Sequence, residues 1–171
     1  DLSRKALKSA SVDGMLFLSE GGEVIHGEFL DRRKSLDEIP SPYLEGLLDP
    51  FFDGLLSPIL ETNRGCPFAC TFCHEGSLVM NKVNYFPLDR VLAELDYVAE
   101  RVPGNVSNLM FTDPNFAMYE RDLEICEHIA WLQSNYGWPR SIFASTGKNK
   151  KDRIAKATGM LNGSLKMWLS V

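Results

Sequence analysis

Hydrophobic and polar positions follow two different rhythms along the chain. Near its start, Met15-Leu16-Phe17-Leu18 and Val24-Ile25-His26 flank the polar, glycine-bearing Ser19-Glu20-Gly21-Gly22-Glu23. Two short apolar runs about a glycine turn predict a β-hairpin. From Asp31 to Pro58, prolines at 40, 42, 50 and 58 interrupt a charged stretch in which Leu44, Leu47, Leu48, Phe51 and Phe52 recur at helical spacing. That stretch reads as a linker that buries its apolar stripe against a neighbour.

Beyond Pro58 the rhythm alternates between strand and helix. Pro58 to Thr62 reads as a strand, and Leu88 to Val102 as a helix with Val91, Leu95, Val98 and Val102 on one face. Val106 to Thr112 is the next strand, and Arg121 to Tyr136 the next helix, stopped by Gly137 with Pro139 just beyond. Ser141 to Ser145, Asp152 to Leu161 and Ser164 to Val171 repeat the pattern once more. The order β-α-β-α-β-α-β predicts an α/β fold with a parallel sheet and right-handed crossovers. Two segments are expected, a hairpin and linker over 1–57 and an α/β core over 58–171. Parallel folds gather their chemistry at the C-terminal ends of strands, so the segments after Thr62, Thr112 and Ser145 are the places to look.

Composition narrows the classes. With 44% hydrophobic and 24% charged residues the chain can bury a core. No apolar run approaches the roughly 20 residues that span a bilayer, and Asp1-Leu2-Ser3-Arg4-Lys5 leads into no signal-peptide core, so a cytoplasmic location is expected. The net charge is -5 and basic residues are interspersed with acidic ones, which argues against nucleic acid as a partner. The densest basic run, Lys148-Asn149-Lys150-Lys151, reads as a solvated helix start. The missing initiator Met and the ending within the apolar run Leu165 to Val171 read as cuts in a longer protein.

Cysteine changes the picture most. Of four cysteines, three lie within the run Asn63-Arg64-Gly65-Cys66-Pro67-Phe68-Ala69-Cys70-Thr71-Phe72-Cys73-His74, directly after the first core strand. A disulfide framework would spread them evenly, whereas clustered thiols in a reducing compartment point to metal. Thiolates are soft ligands suited to iron–sulfur clusters, and the C-x3-C-x2-C spacing lets one loop present three sulfurs to one centre. Cys126, between Ile125 and Ile129 on a helix, reads as a buried structural thiol. A cubane held by three thiolates keeps one iron open. Two other readings use the same residues: covalent haem on Cys70-Thr71-Phe72-Cys73-His74, and a Cys3His zinc site closed by His74. The first goes with export, of which no signal is visible, and leaves Cys66 without a role; the strand-end position and the surrounding Arg64-Gly65-Cys66-Pro67 weigh against the second.

These residues resemble the radical S-adenosylmethionine (SAM) superfamily, with C-x3-C-x-aromatic-C after the first strand of a β/α chain, over Pro58 to Val171. The resemblance implies the N-terminal half of a partial (β/α) TIM barrel. It further implies that Cys66, Cys70 and Cys73 hold a 4Fe-4S cluster whose open iron binds S-adenosylmethionine, with Phe72 near the adenine. Reduction by a flavodoxin or ferredoxin would then cleave the cofactor to a 5′-deoxyadenosyl radical. Leu36-Asp37-Glu38-Ile39-Pro40-Ser41-Pro42-Tyr43 is similar to the connector that follows a cobalamin-binding domain in one subgroup, which includes methyltransferases and cyclases. No Asp-x-His-x-x-Gly cobalamin motif occurs, so any cobalamin would belong to an upstream part. Many members carry Gly-Gly-Glu after the second strand. Here that place reads Thr112-Asp113-Pro114-Asn115-Phe116, so Asp113 and Asn115 are the expected acceptors for the cofactor's amino group, while Gly21-Gly22-Glu23 belongs to the hairpin turn. After the third strand, Ser145 and Lys148 are expected to meet the cofactor's ribose and carboxylate. The substrate and the residues acting on it are not legible, and four strands alone imply an incomplete catalyst.

Overall fold

The computed structural model describes residues 12–33, 35–77, 80–147 and 149–169. The chain divides into two units, Asp1–Arg33 and Lys34–Val171. In the first, β1 (Leu16–Leu18) pairs antiparallel with β2 (Val24–His26), Phe17 opposite Ile25. Gly22 sits at φ 82° and donates its N–H to the Ser19 carbonyl at 3.1 Å. Such a φ is open to glycine at little cost, which explains the Gly-Gly pair as the hairpin turn.

The second unit carries β3 (Ile59–Leu60), β4 (Asn63–Arg64), β5 (Asn84–Tyr85), α1 (Leu88–Arg101), β6 (Asn108–Phe111), α2 (Arg121–Tyr136), β7 (Ser141–Thr146), α3 (Lys151–Met160) and β8 (Leu165–Leu169). Its main sheet has the order β3-β6-β7-β8, with all three pairings parallel. The alternation of each strand sorts the side chains. Leu60 and Phe111 lie side by side, as do Leu109, Ile142 and Leu165, and all are buried. They meet Val91, Leu95 and Val98 of α1 and Ile125, Ile129 and Leu132 of α2, also buried. Each such side chain contributes about 1.5–3 kcal/mol by leaving water. The alternate positions Met110, Phe143 and Ser145 are half-buried, and Trp168 is exposed. Gly137, at φ 68°, ends α2 in the left-handed conformation that the sequence pattern anticipates.

Two features depart from the sequence pattern. The segment from Ser41 to Ser57 forms turns and one 3-10 turn at Asp49–Phe51 rather than a continuous helix. Gly46 at φ 69° and Pro50 both interrupt the helical hydrogen-bond ladder. Of its apolar stripe, Leu48 and Phe52 pack against the core, while Leu44, Leu47 and Phe51 stay exposed. The second feature is a two-residue antiparallel ribbon, β4 with β5, in which Asn63 faces Tyr85 and Arg64 faces Asn84. It brings the chain back on itself directly after β3.

Candidate functional site

The β4–β5 ribbon closes the base of the loop that carries three cysteines. Gly65, at φ 104°, turns the chain into it, and the Cys66 N–H then bonds the Met80 carbonyl at 3.0 Å. Within the loop, Cys73 N–H bonds the Cys70 carbonyl and Gly76 N–H the Cys73 carbonyl, each at 3.1 Å, leading through the 3-10 turn His74–Gly76. At Gly76 the loop folds back so tightly that a Cβ would lie 2.3 Å from the Cys70 carbonyl oxygen and 2.8 Å from its nitrogen. All four cysteines are free thiols: Cys66 half-buried, Cys70 and Cys73 exposed, Cys126 buried. Burial pushes the Cys126 thiol up to about 12, as suits a packing residue on α2.

Asp113 and Asn115, from the end of β6, reach the loop in different ways. Asp113 is fully buried. Its Oδ1 accepts the N–H groups of Thr62 at 2.7 Å and Asn63 at 3.4 Å, and its Oδ2 accepts the Thr62 hydroxyl and Asn63 Nδ2, the latter at 2.9 Å. Burial lifts its carboxyl to about 7, opposed by these bonds, which favour the anion. Both oxygens are thus engaged by the two residues ahead of the cysteine loop. Asn115 goes one step further: its Nδ2 donates to Cys66 Sγ at 3.2 Å. Gly147, just beyond β7, packs against it, since a Cβ there would stand 2.7 Å from Asn115 Oδ1. Ser145 is half-buried, and its carbonyl accepts the Phe116 N–H at 2.9 Å. Cys66, Asn115 and Gly147 therefore meet from three consecutive strand ends.

The other expected residues are placed differently. Phe72 is 87% exposed on the cysteine loop, and Lys148 lies outside the described residues. Among the described residues no three His, Cys, Asp or Glu side chains are drawn into a metal-holding group. The donor chemistry nonetheless suits an iron–sulfur cluster, because three free thiols share one loop and an amide N–H already faces one of them. Sequence reasoning missed Thr62 and Asn63, the partners of Asp113, and Tyr119. The Tyr119 hydroxyl is buried with no hydrogen-bond partner among the described residues. Burial raises it well above the ordinary phenol value, and nearby Tyr85 and Cys66 raise it further. Its nearness to Cys66, contributed from beyond Asn115 on the same segment, left no mark in the local pattern.

No family model matches the chain. Over 140 residues it is 35% identical to 2-(S-pantetheinyl)-carbapenam-3-carboxylate methyltransferase of Streptantibioticus cattleyicolor. It is equally 35% identical over 140 residues to the cobalamin-dependent radical SAM methyltransferase TokK of Streptomyces tokunonensis. Both relatives are methyltransferases by name, and the second is a cobalamin-dependent radical SAM enzyme. Each alignment takes in 78% of this chain and 20% of the relative, so the chain spans about a fifth of their length. Among solved structures it resembles the cobalamin-dependent radical SAM enzyme OxsB with aqua-cobalamin and S-adenosylmethionine bound, with a TM-score of 0.56 and 19% identity over 98% of this chain and 25% of that one. It also resembles the radical SAM methyltransferase TsrM of Kitasatospora setae with cobalamin and a [4Fe-4S] cluster bound, with a TM-score of 0.54 and 15% identity over 81% of this chain and 24% of that one. At such identities the likeness carries the fold, a partial β/α barrel. Within this fold the cysteine loop follows the first sheet strand, Asp113 and Asn115 the second, and Ser145 and Gly147 the third. No helix among the described residues is long and apolar enough to cross a membrane.

Proposed function

We propose that this chain is the cluster-bearing part of a cobalamin-dependent radical SAM methyltransferase, in which Cys66, Cys70 and Cys73 hold a 4Fe-4S cluster and S-adenosylmethionine binds beside it. The observation that carries the reading is the loop of three free thiols at the C-terminal end of β3, tied to the next strand end through Asp113. When bound, the cluster supplies the electron that cleaves the sulfonium of S-adenosylmethionine, and cobalamin, carried by an upstream part of the protein, supplies methyl transfer. The chain's own residues divide the remaining work. Thr62, Asn63 and Asp113 fix the entry to the loop, and Gly65 and Gly76 let it turn. Asn115 and Ser145 line the adjoining strand ends, where the cofactor's amino group and ribose would lie, with Lys148 toward its carboxylate. Phe72 would cover the adenine, exchanging its exposure to water for stacking. An electron donor of the flavodoxin or ferredoxin class would serve the cluster, and a cytoplasmic setting would keep the thiols reduced.

Anaerobic reconstitution tests the assignment. The wild-type chain should take up iron and sulfide and show broad visible absorption, whereas zinc would give none and haem a sharp intense band. Cys66→Ala, Cys70→Ala and Cys73→Ala should each lose the cluster, and Cys126→Ala should keep it. A full cluster in Cys66→Ala would overturn the assignment.

A further inference from the structure

The contact between Asn115 and Cys66 is built rather than incidental. Asn115 is only 5% exposed. Its backbone is held on both sides, its carbonyl accepting the Met118 N–H at 3.2 Å and the following Phe116 N–H reaching the Ser145 carbonyl at 2.9 Å. The oxygen of its amide lies against Gly147, where a Cβ would come within 2.7 Å of that oxygen and 3.1 Å of Met118 Sδ. The nitrogen is left to face Cys66 Sγ at 3.2 Å. A thiolate has lone pairs and no proton, so only the N–H end of the amide can face it favourably.

A hydrogen bond to a ligand sulfur draws electron density from the metal centre. It stabilises the reduced, more negative state over the oxidised one and so raises the reduction potential. We propose that Asn115 sets the reduction potential of the cluster through its N–H···S bond to Cys66, and that Gly147 is a glycine so that the amide can take this position. The proposal rests on the cluster assignment above. It makes Asn115 a positioning and tuning residue on the sulfur, which differs from a ligand to the cofactor's amino group. Part of the driving force needed to reduce the cluster would then come from the strand end after β6, by one oriented donor.

Potentiometry followed by electron paramagnetic resonance, on reconstituted protein without S-adenosylmethionine, tests this directly. Omitting the cofactor means that a role in binding it cannot move the readout. Asn115→Leu keeps the branched shape and removes the donor, and Asn115→Asp replaces the donor with an anion. Gly147→Ala leaves Asn115 in place but crowds its oxygen. All three should carry wild-type iron and show midpoint potentials more negative than wild type, Asn115→Asp the most. An unchanged potential in a fully loaded Asn115→Leu would overturn the proposal. If Asn115→Leu loses its cluster, Gly147→Ala decides, and an unchanged potential there would count against the idea. A wild-type chain that takes up no cluster would instead refute the assignment on which the proposal rests.

Discussion

Gly76 and Gly104 are the same residue type with opposite surroundings. Around Gly104 nothing lies within 4 Å of where a Cβ would stand, whereas at Gly76 the nearest atoms belong to the Cys70 backbone. A side chain can swing away from an intruding methyl group, but a backbone carbonyl at 2.3 Å cannot move without carrying Cys70 with it. Gly76→Ala should therefore weaken cluster retention by roughly tenfold, the lower range for a disturbed support of a metal ligand. Its circular dichroism should match wild type, and Gly104→Ala should retain iron normally. Equal iron content in the two variants after gel filtration would show that the loop tolerates the methyl group. The sequence marks Gly76 only as one glycine near a cysteine. What makes it necessary is a fold-back that no local pattern records.

Among the elements, β3 is short and lies at the edge of the sheet, where unpaired backbone groups invite association with other chains. Tyr43 covers part of that edge. Its hydroxyl donates to the Ile59 carbonyl at 3.0 Å and accepts the Ile59 N–H at 3.1 Å, standing in for a neighbouring strand. Tyr43→Phe keeps the ring and leaves both groups without this partner, so unfolding in urea should occur with stability lowered by about 1–3 kcal/mol. An unchanged midpoint would mean that water serves the edge equally well. The longer elements were legible because α1 carries a 3.6-residue apolar period, α2 ends at a glycine stop, and β6, β7 and β8 are short apolar runs set between helices. The linker stripe was expected to be buried as a whole, but Gly46 and Pro50 break the helical spacing, so only Leu48 and Phe52 reach the core. The β4–β5 ribbon was invisible, since two residues a side form no period. Asp113 could be placed at a strand end from sequence, but its engagement with Thr62 and Asn63 depends on partners some 50 residues away.

For the molecule as a whole, two buried carboxyls link stability to pH. Asp122 accepts the Tyr119 N–H at 3.0 Å through Oδ2, while its Oδ1 is buried with no partner among the described residues. Burial raises it from 3.8 to about 6, and Asp113 likewise to about 7. With folded-state values above those of the unfolded chain, the folded protein binds the extra protons. The stabilisation is complete below about pH 4 and is lost as pH rises through 6 to 7. Asp122→Asn removes one of the two groups. Its stability relative to wild type should improve by about 2 kcal/mol between pH 4 and pH 7.5, read from urea unfolding at the two pH values. A pH-independent difference would place the charge of Asp122 in a wetter setting than its burial indicates. The bond between Thr62 and Asp113 also has a consequence in time. The three thiols of the cysteine loop lie within eight residues, so they can come together even in a chain just emerging from synthesis. Thr62 and Asp113 are 51 residues apart, and Asn115 and Cys66 are 49 apart; both meet only after β3 and β6 have paired. On the proposed cluster assignment the ligands would exist before their setting does, so a metal arriving early would meet a thiol hook open to zinc as readily as to iron. Faithful loading would then require the sheet to form first.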